Sequence, residues 1–172
     1  MNELKLITKF EEYREELDRI FNESVDYFME VEGRPTLSAF CDVNKEIPEL
    51  PKEYPVCCYA FICNGEAAGY AWIVEDTDRK LYYILSFIIS EKFRRKKLGT
   101  RVIEALDDIY TSYDISELLV STKNYSGLNF WVNVGYNEIT AALPPEAQGT
   151  VATELNLRRY IKRNDKSEEV AE

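Results

Sequence analysis

A run of basic residues stands where a predicted buried strand gives way to a predicted helix. Residues 91–100 read EKFRRKKLGT, and five of the six residues from 92 to 97 are Lys or Arg. The first N–H groups of a helix lack internal partners and the helix dipole favours anions, while Gly99 permits close backbone approach. These features predict a pocket for a phosphate or diphosphate group. A solvated basic turn and a weak nucleic-acid patch are the alternatives on charge alone.

Two motifs, in order, resemble those of one enzyme superfamily. The strand, the loop at 91–100 and the helix resemble the acetyl-CoA loop of the GNAT acyltransferases, (Q/R)xxGx(G/A), with Arg94 and Gly99 at its first and last positions. Residues 124–136, NYSGLNFWVNVGY, resemble the family's NxxAxxFYxxxGF. The motifs stand at the family's usual separation. The resemblance covers residues 56–142 well and the N-terminal helices by topology only.

The resemblance implies an α/β (α+β) fold, a GNAT-like mixed central sheet of six to seven strands flanked by about four helices, with splayed central strands. The pantetheine arm of acetyl-CoA would lie between strand 81–89 and strand 118–121, and the diphosphate would rest on the amides of residues 95–100. By analogy with the family pattern, the residues expected to bind acetyl-CoA are Phe87, Ile88, Ile89, Arg94, Arg95, Lys96, Lys97, Leu98, Gly99, Thr100, Asn124, Phe130 and Trp131.

The chain departs from the family pattern at four positions. Lys97 replaces the first glycine of the loop, and a lysine takes a left-handed backbone conformation only at a cost. Gly127 replaces the alanine of the second motif, which is expected to weaken that helix start. Tyr83 stands where many members carry a carboxylate base, and Trp131 stands where many carry a tyrosine acid.

The catalytic groups expected from the resemblance are therefore the side chain of Tyr83 and the backbone N–H of Ile89. The N–H of Ile89 would stabilise the negative charge that develops on the carbonyl oxygen of the thioester. The sequence selects no base. The further candidates are the carboxylates of Glu30, Glu32, Glu75, Asp76 and Asp78 as bases, and the phenols of Tyr125 and Tyr136 as acids. Each has a plainer interpretation: turn former, solvated helix carboxylate or core residue. Trp131 is also interpreted as an aromatic wall.

Composition excludes several kinds of chemistry. The 172 residues contain no histidine, so neither a Ser-His-Asp triad nor an imidazole-ligated metal site exists, and no metal is expected. The four cysteines form no CxxC pair and are expected to be free thiols. Adjacent Cys57 and Cys58 would point to opposite faces of a strand. The net charge of −10 argues against nucleic acid as a partner.

The elements that must position these groups follow from hydrophobic periodicity and turn signals, in the order β-αα-βββ-α-β-α-ββ. Residues 1–161 are predicted to form one GNAT-like acyltransferase domain, and residues 162–172 a polar, disordered C-terminal tail. Asn64-Gly65 predicts a hairpin turn, and the apolar run 81–89 predicts a strand buried on both faces. No run approaches the roughly 20 apolar residues of a membrane span, and a cytoplasmic location is expected.

The predicted function is transfer of the acetyl group of acetyl-CoA to a primary amine of a small molecule or peptide by direct attack. The alternative is a non-catalytic module that binds acyl-CoA or a partner on the same fold. The expected partners are acetyl-CoA and an amine acceptor, without nucleic acid or membrane, and the chain is expected to be a monomer or a homodimer.

Overall fold

The computed structural model describes residues 3–31, 54–148 and 150–161. The predicted tail at 162–172, Cys41 and Glu32 lie outside these ranges. The strands are β1 Leu4–Ile7, β2 Val56–Cys63, β3 Glu66–Asp76, β4 Leu81–Ile89, β5 Ile115–Ser121, β6 Glu138–Leu143 and β7 Glu154–Tyr160. The helices are α1 Arg14–Glu23, α2 Val25–Val31, α3 Leu98–Ile109, α4 Tyr125–Asn133 and the short α5 Pro145–Gln148, with 3-10 turns at Glu11–Tyr13 and Glu91–Phe93. The predicted order of elements is confirmed in the described ranges, except that the short α5 between β6 and β7 was not predicted.

All seven strands join one sheet in the order β1-β2-β3-β4-β5-β7-β6. Only β4 and β5 run parallel, while every other neighbouring pair is antiparallel. The predicted hairpin between β2 and β3 is present, and both turn residues have positive φ, 52° at Asn64 and 82° at Gly65. Such a turn matches the right-handed twist of the strands that it joins. Among the described residues, no helix has the length and apolar character of a membrane span.

Apolar side chains cover both faces of the sheet. On the first, here called the α3 face, β4 and β5 pack against α3 and α4 through residues such as Tyr82, Leu106 and Leu118. On the second, the α1 face, Leu17 and Phe21 of α1 pack with aromatic residues of β3. Side chains of β4 enter both clusters, so the prediction of a strand buried on both faces is confirmed.

Cysteine side chains follow the same division. Cys57 packs in the α3-face cluster and Cys58 in the α1-face cluster, as the alternation of a strand requires. Both are free thiols, as is Cys63.

A buried ion pair joins the far end of α3 to the sheet. Arg159 of β7 is 8% exposed, and its Nη1 donates to Asp107 Oδ2 at 2.8 Å. The Tyr82 hydroxyl donates to Asp107 Oδ1 at 2.9 Å. These bonds satisfy a charge that would be costly to bury alone, and they hold α3 against the sheet so that its N-terminus stays at the end of β4.

Candidate functional site

The parallel strands β4 and β5 pair over only part of their length. Their register runs from Leu81 opposite Ile115 to Ile84 opposite Leu118, whereas β4 continues to Ile89 and β5 to Ser121. Residues 86–89 remain paired with β3 on the other side, after a bulge at Leu85. The two strands therefore part after Ile84 and leave a cleft between them, as the family resemblance implies.

The edge of β4 in this cleft presents backbone groups for hydrogen bonding. Ser90 N donates to Ala68 O of β3 at 2.9 Å. Because successive N–H groups of a strand point to opposite sides, the N–H groups of Ile89 and Phe87 face the cleft, and that of Ile88 faces β3. Ile88 contributes its side chain to the cleft lining instead. An extended ligand can thus bind along β4 as an added strand would.

A positive helix terminus follows the end of β4 in the chain. The first intrahelical bond of α3 runs from Arg101 N to Lys97 O, so the N–H groups of residues 98–100 have no partner within the helix. No side chain caps this terminus and no acidic residue lies in its first turn. The dipole and these N–H groups together favour an anion here.

The loop before α3 contains two residues with left-handed backbones. They are Arg95 and Lys97, with φ of 59° and 58°. Lys97 thus adopts the conformation that costs an L-residue about 1–2 kcal/mol. The left-handed conformation that the sequence marked as costly for a lysine is thus present at Lys97.

The basic side chains of the loop have different tasks. Arg94 Nε donates to Ile89 O at 2.8 Å and ties the loop to the end of β4. Lys96 Nζ donates to Lys92 O at 2.9 Å, while Lys92 pairs with Glu66. Arg95 and Lys97 are exposed and form no side-chain ion pair within the described part of the chain, so their charges are available to a bound anion.

Gly99 and Phe130 explain how the two motifs meet. A Cβ on Gly99 would lie 2.8 Å from Phe130 Cε2, so only glycine allows α3 to approach α4 this closely. The Phe130 ring stacks on Phe87, with centroids 5.8 Å apart. Trp131 lines the cleft and is 7% exposed, as expected for an aromatic wall.

Asn124 organises the second motif. Its Oδ1 accepts a hydrogen bond from Gly127 N at 2.9 Å and caps α4, while its Nδ2 donates to the Tyr27 hydroxyl at 3.0 Å. A Cβ on Gly127 would lie 2.2 Å from Asn124 Nδ2. The Asn124 side chain therefore occupies the space that an alanine methyl group would need at this position.

Tyr83 lies on the α1 face, outside the residues that line the cleft. Its hydroxyl donates to Asn156 Oδ1 at 3.2 Å, and Asn156 Nδ2 donates to Glu117 Oε2 at 3.0 Å. Burial and the nearby carboxylates of Glu117 and Glu154 raise the pKa of Tyr83 well above its usual value. The phenol is therefore protonated at neutral pH, which disfavours it as the group that accepts a proton from an amine.

The other side chains predicted as acids or bases either form hydrogen bonds within the fold or are exposed. Asp76 Oδ1 accepts from Arg79 N at 3.1 Å and forms the turn between β3 and β4. Glu75 accepts from Tyr113 at 3.0 Å. Tyr136 is fully buried, with its hydroxyl 2.6 Å from Ser116 Oγ. Glu30, Asp78 and Tyr125 are exposed.

The residues lining the cleft include two that the sequence did not indicate. Tyr27 of α2 and Glu154 of β7 both line it. Neither stands in a motif, and Glu154 is one of the polar residues that alternate with leucines at the start of β7. Only the register of β7 on β5, with Glu154 opposite Ser121, brings this carboxylate to the cleft.

Comparison with known proteins identifies the family. The acetyltransferase (GNAT) family matches residues 17–136. The chain belongs to the acetyltransferase (GNAT) family. It is accordingly an acetyltransferase enzyme, of a family that uses acetyl-CoA as the acetyl donor and acts on amines.

Individual relatives of this GNAT acetyltransferase are distant in sequence. The N-alpha-acetyltransferase 30 of Dictyostelium discoideum is 23% identical over 128 residues, which cover 67% of this chain and 69% of the relative. Ard1 from Thermoplasma volcanium is 18% identical with a TM-score of 0.67, covering 94% of this chain and 99% of that one. The spermidine N-acetyltransferase from Vibrio cholerae, solved with CoA and spermine, is 12% identical with a TM-score of 0.70, covering 92% and 95%. These structures share the fold.

Proposed function

We propose that this GNAT acetyltransferase binds acetyl-CoA in the cleft between β4 and β5 and transfers the acetyl group directly to a primary amine of a small molecule or peptide. The observation that carries the proposal is the separation of β4 from β5 after Ile84, directly before an uncapped helix terminus. The cleft N–H groups of Phe87 and Ile89 would bind the pantetheine arm and its thioester. The diphosphate would rest on the N–H groups of residues 95–100.

Direct attack agrees with the chemistry of the cleft. No cysteine occurs among the described residues that line it, so a thiol that could carry the acetyl group is absent from that set. The amine nitrogen would form a bond to the thioester carbonyl carbon while the C–S bond breaks. The N–H of Ile89 would donate to the carbonyl oxygen as it gains negative charge. One proton leaves the ammonium group before attack, and a second passes from nitrogen to the departing thiolate.

The acceptor class of the proposal is a primary amine. The matched relatives are named for acetylation of a protein α-amine and of spermidine, which share only that group. An alkylamine with a pKa of about 10.4 must lose its proton to react, which costs about 4.6 kcal/mol at pH 7. The enzyme must therefore supply a proton acceptor.

The diphosphate site is tested by removing the two available charges. Asn tolerates a left-handed backbone, so R95N/K97N keeps the loop shape and deletes both cations. We expect the affinity for acetyl-CoA, measured by titration calorimetry, to fall about 10- to 100-fold. The matched control is R79N/K80N at the opposite end of β4, where Lys80 also has a positive φ of 49°. Its affinity should be unchanged.

Turnover is tested by thiol release from acetyl-CoA with spermidine, with peptides bearing a free α-amine and with the same peptides blocked at that amine. Release that needs the free amine supports the proposed function. If acetyl-CoA binds but no amine causes thiol release, the proposed transferase function is contradicted. The result would then favour the alternative, a non-catalytic module that binds acyl-CoA. Equal loss of affinity in both double variants would contradict the placement of the diphosphate.

A further inference from the structure

One hydrogen bond joins two residues of the cleft lining that come from opposite ends of the chain. Asn124, which follows β5, donates from Nδ2 to the phenol oxygen of Tyr27 on α2 at 3.0 Å. Both residues line the cleft. The Tyr27 side chain also packs against the α1-face cluster, to which β3 and β4 contribute. The bond therefore links a wall built on β3 and β4 to the helix that follows β5.

The side-chain amide of Asn124 is held at both ends. Its Oδ1 accepts from Gly127 N at 2.9 Å and caps α4, while its Nδ2 is bonded to Tyr27. The amide fills the space over Gly127, where a Cβ would lie 2.2 Å from Nδ2. With the cap alone, the planar amide could still turn about its oxygen. The bond to Tyr27 stops that rotation and fixes the direction of the remaining N–H.

The second N–H of this amide has no acceptor in the described part of the chain. An asparagine Nδ2 carries two hydrogens, and the Tyr27 phenol accepts only one of them. Because the cap uses the oxygen of the amide, this N–H is the group through which the Asn124 side chain can bind a molecule in the cleft. The pantetheine arm of acetyl-CoA carries amide carbonyl oxygens that can accept such a bond.

We propose that Tyr27 is a positioning residue for acetyl-CoA. Its phenol oxygen fixes the Asn124 amide so that the remaining N–H meets a carbonyl oxygen of the pantetheine arm. The inference rests on the proposed function and assigns a task to a residue of α2 that stands in neither motif. An amide that is already fixed in the free enzyme loses less conformational freedom when the ligand binds, which raises the affinity. Tyr27 acts through Asn124 alone.

Removal of the phenol oxygen tests the positioning. Y27F keeps the ring and deletes the acceptor of the Asn124 bond. We expect the Kd for acetyl-CoA, measured by titration calorimetry on the full chain, to rise about three- to tenfold. With the amine of the panel that gives the fastest thiol release, kcat/KM for acetyl-CoA should fall by the same factor, while kcat at saturating acetyl-CoA should change less than twofold.

The matched control is Y13F. Tyr13 packs against the same α1-face cluster but is not among the residues that line the cleft. Its variant therefore removes a phenol oxygen from the same face without touching the Asn124 amide. The Kd for acetyl-CoA should be unchanged in Y13F.

A double-mutant cycle shows whether Tyr27 acts through Asn124. N124S keeps a helix cap, because a serine hydroxyl also accepts from the first N–H groups of a helix, and it removes the Nδ2 donor. We expect N124S to raise the Kd for acetyl-CoA about tenfold. In the N124S background, Y27F should change the Kd by less than twofold. If N124S does not fold, N124D replaces it in the cycle, since aspartate also caps a helix and its carboxylate has no N–H to donate.

The outcomes are distinct. An unchanged Kd in Y27F would overturn the proposal, because the bond to Asn124 would then only stabilise the fold. The same rise in Kd in both backgrounds would also overturn it, since the phenol would then act without the amide. An equal rise in Y13F would assign the effect to packing of the α1 face, with the same consequence. A native protein that binds no acetyl-CoA would refute the proposed function itself.

Discussion

The contact between Gly99 and Phe130 provides a quantitative test of how the loop is held. In G99A the new Cβ would lie 2.8 Å from Phe130 Cε2 and 2.9 Å from Cζ, whereas ordinary contacts begin at 3.4 Å. The ring or the helix must therefore move by at least about 0.6 Å, the difference between 3.4 and 2.8 Å. The ring has little room, because its centroid lies 5.8 Å from that of Phe87 and 4.8 Å from that of Trp131.

Overpacking of this size costs about 1–3 kcal/mol. We expect G99A to lower the free energy of unfolding by about 2 kcal/mol in urea denaturation. Acetyl-CoA affinity should fall as well, because displacement of α3 moves the N–H groups that would bind the diphosphate. T100A, at the exposed neighbouring position, should change the free energy of unfolding by less than about 0.5 kcal/mol.

A double-mutant cycle isolates the contact. F130L removes the ring carbons that meet the new methyl group, so G99A in that background should be neutral or stabilising by up to about 1 kcal/mol, the helix preference of alanine over glycine. The coupling energy between the two sites should exceed about 1 kcal/mol. Additive effects of G99A and F130L, or a fully stable G99A, would refute the reasoning.

Two further results are expected. G127A should destabilise the native protein because its methyl group displaces the Asn124 cap, yet in an N124A background the same change should stabilise it by up to about 1 kcal/mol. Urea denaturation of the native protein, the two single variants and the double variant measures both changes in the free energy of unfolding. A change of the same sign in both backgrounds would contradict the role of the cap. Burial raises the pKa of Tyr59 from 10.0 to about 12. The unfolded state therefore loses its proton first as the pH rises, so stability should be retained below pH 10 and decline between pH 10 and 12. Denaturation across that range, with Y59F as the comparison, measures the decline, and an equally steep decline in Y59F would assign it to other tyrosines.

Local pattern determined the elements of this protein and the anion loop. Strand and helix periodicities are properties of adjacent residues, so the order of elements, the Asn64-Gly65 hairpin and the buried strand β4 could be predicted directly. The basic loop with Gly99 could also be predicted, because a helix terminus and its charges are close in sequence. The family resemblance then supplied the cleft between β4 and β5.

Tertiary structure alone decided which groups meet in that cleft. Tyr83 and Asn156 are 73 residues apart, and Glu154 reaches the cleft only through the register of β7 on β5. Gly127 is explained by the Asn124 side chain lying over it, which no helix propensity encodes. Register and side-chain packing depend on contacts between distant segments. A shift of one residue in the register moves every side chain of a strand to the opposite face of the sheet. The amino-acid pattern of a single strand carries no information on which partner residue it will face.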